Sequence, residues 1–105
     1  MIYNIICDIM DKNKLRKLKK ELELLRSRKT NIRPREMINF AKKLGRVKSN
    51  RGKEPNYINQ IFPLLRPISI PNHPGSLYKF TAGNILDSLE EDIFTHEEEL
   101  RKQND

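Results

Sequence analysis

Two observations predict an α+β fold for this 105-residue chain. Apolar residues recur at helical spacing around 37–44 and again around 82–93, and three short β-rich runs lie between them. A third, leucine-striped segment stands ahead of both. The predicted order is a helix, then α-β-β-β-α. A three-stranded antiparallel meander with both flanking helices on one face is the simplest way to bury these stripes.

Residues 12–28, KNKLRKLKKELELLRSR, form the first predicted helix. Leu15, Leu18, Leu22 and Leu25 fall at spacings of three and four, which places them on one face. Under two heptads is short for a coiled coil, so docking on the chain's own core or on a partner is expected. In the next helix, Pro34 suits the first turn, where a missing N–H costs nothing. Met37, Ile38, Phe40, Ala41 and Leu44 make its stripe. Gly45 sits where helices end in a left-handed residue.

The β-like runs are RVKSN (46–50), NYINQIF (56–62) and RPISIP (66–71). Gly52 bends the chain between the first two. Ile68 and Ile70 share a face, and the prolines around them suit a strand terminus or a sheet edge. PNHPGS then breaks the sheet. Thr81 is placed to cap a last helix on which Ala82, Ile85, Leu86, Leu89 and Ile93 share a face. Asp87, Glu90, Glu91 and Asp92 are assigned to its acidic outer face. The tail THEEELRKQND has little to bury, and fraying is expected. The chain divides into a basic leucine-striped helix (1–30), a domain (31–95) and a charged tail (96–105).

Charge is unevenly placed. Residues 12–53 carry 17 Lys or Arg against three Glu, whereas residues 54–105 carry four Lys or Arg against nine acids. A basic block of this density suggests a polyanionic partner, because neutralising phosphates releases counterions. The bland reading is a set of well-solvated Lys-rich helices. No apolar run approaches the ~20 residues that span a membrane. MIYNIICDIM lacks the basic start and cleavage site of a signal peptide. The lone Cys7 permits no internal disulfide. A cytoplasmic protein is expected.

The residue types exclude several chemistries. One Cys and two distant His cannot supply a zinc site. No catalytic triad and no Gly-rich phosphate loop is present, and no cofactor or metal is expected. EEDIFTHEEE, with His96, reads as a solvated helix end rather than a metal cage. His73, in ISIPNHPG, is a turn residue or a contact to a base or phosphate. The RGKEPNY turn gathers Arg51, Lys53, Glu54, Asn56 and Tyr57. Cations there can hold a phosphate, a carboxylate can accept a proton, and a ring can stack on a base. An ordinary charged hairpin reads equally well.

From NIRPREMINFAKKLG through RGKEPNY to PISIPNHPGSLYKFTAGNILDSLEED, about residues 31–93, the chain resembles the HicA family of mRNA interferase toxins. The resemblance implies a double-stranded-RNA-binding-domain-like fold, preceded here by an extra N-terminal amphipathic helix. It also implies ribonuclease activity on messenger RNA and neutralisation by a HicB-like antitoxin. One departure matters. Where the family carries a Gly-Ser-His phrase with the catalytic histidine, this chain has Gly52, Lys53 and Glu54. His73 matches a later family turn. Glu54 is therefore the candidate catalytic residue, with Lys48, Arg51, Lys53, Asn56, Tyr57 and His73 as RNA contacts. A carboxylate can act as general base on the ribose 2′-hydroxyl if Arg51 and Lys53 offset its repulsion from phosphate. Alternatively the chemistry is lost, and a silent RNA-binding or antitoxin-binding module remains. A DNA-binding or protein-interaction role through the first helix is a third reading, with self-association or partner docking through Leu15, Leu18, Leu22 and Leu25.

Overall fold

The computed structural model describes residues 12–28, 31–49 and 55–104. Cys7 with the apolar opening stretch, and Gly52, lie outside them. The described residues form helices α1 (Lys12–Ser27), α2 (Pro34–Lys43) and α3 (Lys79–Asn104), and strands β1 (Arg46–Lys48), β2 (Asn56–Asn59) and β3 (Ile68–Ser69). The strands make one antiparallel sheet in the order β1-β2-β3. This α+β layout is compatible with an α-β-β-β-α core preceded by a helix.

α1 packs along α3 through Leu15, Leu18, Leu22 and Leu25, each 5% exposed or less. The fold thus uses the leucine seam for its own core. Charged residues seven apart flank the seam. On one side Lys19 pairs with Glu97, and Arg26 with Asp87 and Glu90 of α3. On the other, Glu21 pairs with Lys43 and Arg28 with Glu36, both of α2. This is the arrangement of a short coiled coil, with apolar positions facing the partner and ionic positions beside them. Rising numbers in α1 meet falling numbers in α3, so the two helices run antiparallel.

Pro34 opens α2. Glu36 accepts the backbone N–H of Arg33 at 3.3 Å, which occupies one of the free amides of the helix start. Gly45 closes the helix at φ +94°, a conformation that costs other residues strain. A Cβ there would also stand 2.7 Å from Ile61 Cδ1. The strands are shorter than expected. β2 stops because the Asn59 side-chain oxygen accepts the backbone N–H groups of Ile61 and Phe62, each at 2.9 Å, and turns the chain. β3 is cut to two residues between Pro67 and Pro71. Inward-facing Tyr57, Ile68 and Ile70 join Met37, Phe40, Leu44 and the α3 stripe in one core. The opposite face carries the cross-strand pair Val47 and Ile58, the latter 39% exposed.

α3 departs from expectation in four ways. It begins at Lys79, so Thr81 lies within the first turn rather than capping it. It continues to Asn104 without fraying at 96, because Glu97 pairs with Lys19 and Leu100 packs on the core. Asp92 is not on the outer face, and His96 is not a solvated end. Both are fully buried. Their positions extend the stripe Ile85, Leu89 at spacings of three and four, so the helix carries them inward.

Candidate nucleic-acid interface

Antiparallel pairing brings one set of chain ends together. β1 finishes, β2 starts and β3 finishes at the same end of the sheet. Ser49 N–H donates to Asn56 O, and Ile70 N–H to Pro55 O. Of the predicted site residues, Lys48 stands exposed there and Asn56 half-buried. Arg51, Lys53 and Glu54 lie outside the described residues. His73 follows in the β3–α3 connection, half-exposed, with Nδ1 3.0 Å from Pro74 O. Tyr57 does not fit the role expected of it. Only 5% of it is exposed, since strand alternation puts it on the inward face, opposite Ile68. A ring in the core has no face for a base, and burial pushes its phenol pKa up.

The connection returns beside α2. Leu77 N–H donates to Ile32 O at 2.7 Å, and Ser76 Oγ lies 3.4 Å from Asn31 Oδ1. The starts of α2 and α3 therefore lie side by side at this end of the molecule. Sequence reasoning missed Tyr78 and Phe80, which stand 78% and 86% exposed there. The signal available was their position ahead of, rather than within, the apolar stripe of α3.

The acidic C-terminal half of the sequence folds onto the basic half, so part of the basic block is spent internally. Among the described residues Lys19, Arg26, Arg28, Lys43 and Arg46 pair with carboxylates. Glu36 titrates below the usual carboxylate range, chiefly because Arg28 donates hydrogen bonds to it. Exposed Lys17, Lys20, Arg35, Lys42 and Lys48 have no carboxylate partner among the described residues.

At the opposite end of the sheet the polar groups turn inward. Arg46 holds Asp92 through two parallel bonds, Nε to Oδ2 at 2.7 Å and Nη2 to Oδ1 at 2.8 Å. Its Nη1 donates to Tyr57 O and Arg66 O. Asn59 Nδ2 adds bonds to Asp92 and to Leu44 O. His96 Nε2 lies 3.4 Å from Leu44 O, its ring meets Phe62 edge-on, and Nδ1 is buried with no partner among the described residues. These side chains are 2% exposed or less. They form a structural network closed to any substrate. No family model, curated protein or solved structure matches this chain.

Proposed function

We propose that this chain is a HicA-like, RNA-directed protein with a double-stranded-RNA-binding-domain-like fold, the toxin half of a toxin–antitoxin pair silenced by a HicB-like antitoxin. The observation that carries the RNA reading is the set of exposed cations left over after internal pairing, Lys17, Lys20, Arg35, Lys42 and Lys48. The helix–three-strand–helix order supports the fold reading. In the cleaving form Glu54 accepts the proton of a ribose hydroxyl while Arg51 and Lys53 hold the phosphate.

A catalytically silent RNA-binding or antitoxin-binding module of the same fold is the second reading. It is favoured by Glu54 at the family's histidine position and by the places of the two histidines. His96 is buried at the far end of the sheet, and His73 belongs to a different turn.

RNA affinity, measured by anisotropy, is expected to fall steeply between about 50 and 200 mM salt. A flat response, or no binding at low salt, defeats the RNA reading. Glu54→Gln is expected to lower cleavage ~10²–10⁴-fold with binding kept, and His73→Ala to act more mildly. A wild-type chain that binds RNA without cutting it leaves the silent module standing.

A further inference from the structure

Tyr78 and Phe80 are large rings held out in solvent. Leu77 between His73 and the helix, and Ile85, Leu86 and Leu89 beyond, are all buried. The core was therefore available to neighbouring residues, and these two rings are left outside it. A third ring stands near Tyr78, since the His73 ring centroid is 6.3 Å from that of Tyr78 at a tilt of 48°.

Exposed cations occupy the same end of the molecule. Lys79 is exposed between Tyr78 and Phe80 in the sequence. Asn31 meets Ser76 and Ile32 meets Leu77, so the start of α2, with exposed Arg33 and Arg35, lies beside the segment that leads into α3. Lys79 and Arg35 pair with no carboxylate among the described residues. No Asp or Glu occurs anywhere from residue 55 to residue 86, and the nearby Glu36 is engaged by Arg28. A surface that joins open ring faces to cations and is poor in acids matches stacked bases and their phosphates. Bases inside a duplex are already stacked on one another, so only unpaired ones can use such rings.

We propose that His73, Tyr78 and Phe80, with Arg33, Arg35 and Lys79, form a binding surface for unpaired nucleotides of single-stranded RNA. Rings stack on bases and the cations hold phosphates. The proposal rests on the RNA reading above and deepens it by naming the strandedness of the ligand.

The test compares a 12-nucleotide single strand carrying 2-aminopurine with a blunt duplex of the same sequence. The wild type is expected to bind the single strand at least about tenfold more tightly and to change the 2-aminopurine fluorescence. Tyr78→Ala and Phe80→Ala should each weaken single-strand binding about tenfold and leave the salt dependence unchanged. Arg35→Ala should instead reduce the salt slope by roughly 0.7. Thermal melting of each variant checks that the exposed substitutions leave the fold intact, and the 2-aminopurine signal of the wild type needs no variant. Equal affinity for duplex, or ring variants that bind as the wild type does, overturns this surface while the RNA reading stands. Failure of the wild type to bind either RNA overturns both.

Discussion

The two ends of the sheet treat charged and polar groups in opposite ways. At one end Arg46, Asn59 and Asp92 are buried and saturate one another with hydrogen bonds. At the other, Arg35, Lys48 and Lys79 stand in solvent with no carboxylate partner among the described residues. The same residue types hold the fold together in the first case and face solvent in the second. Charge in a sequence therefore says little about purpose until its pairing is known. Burying an ion pair costs heavily in desolvation, and only close, two-point geometry with its remaining donors satisfied offsets that cost. Exposed cations carry no such cost and contribute correspondingly little to stability.

The largest expected effect separates these ends most sharply. Asp92→Ala leaves the Arg46 guanidinium buried without its counter-ion and should lower unfolding free energy by about 3–5 kcal/mol. Arg35→Ala at the open end should stay within about 0.5 kcal/mol of wild type. Urea denaturation of both variants makes the comparison. Similar losses from the two would erase the distinction between a buried structural end and a solvent-facing end.

The leucine seam provides a second, apolar version of the same contrast on one helix. Leu22 is 4% exposed and Leu24 is 65% exposed. Leu22→Ala should cost about 2–5 kcal/mol through lost burial and the cavity left behind, and Leu24→Ala should stay within about 0.5 kcal/mol. Were the seam reserved for a partner, the melting temperature of the isolated chain would barely move on substitution at Leu22.

Much of the fold was legible because local chemistry and tertiary packing agreed. The 3-4-3 leucine spacing, Pro34 at a helix start and Gly45 at its end each state a local requirement that the structure meets. Asp92 and His96 were misplaced because acids on a helix are assigned outward by default, although their spacing from Leu89 continued the buried stripe. Their partners, Arg46, Asn59 and the Leu44 carbonyl, lie 33 to 52 residues away. No local pattern links residues so far apart. Tyr57 failed for a related reason. Its neighbours made it look like part of a polar turn, but strand alternation decides which way a ring points, and here it points to the core. Of the candidate site, the placement of Lys48 and Asn56 at one end of the sheet was legible from the order of the strands. Its exposed rings were not, because exposure depends on where α3 begins.

The smallest expected effect concerns His96, whose Nδ1 is buried with no partner among the described residues. His96 faces Asp92 on its own helix, the Leu44 carbonyl from the end of α2, the Phe62 ring, and the charge of Lys14 on α1. Burial holds its pKa below the ordinary histidine value, and the Lys14 charge acts in the same direction. The Leu44 bond and the Asp92 charge oppose them without prevailing. The unfolded chain then binds a proton more readily than the folded one. Stability is fully present above the unfolded pKa, about 6.5, and falls as pH drops from there through the lower folded pKa. The slope from this group cannot exceed about 1.4 kcal/mol per pH unit. In His96→Gln that titration is absent, so the stability gap between wild type and variant should narrow between pH 7 and pH 5 in urea titrations. A constant gap across that range would mean that His96 takes up its proton without loss. The buried end would then hold a charge as readily as the open one, and the contrast between the two would fail at this residue.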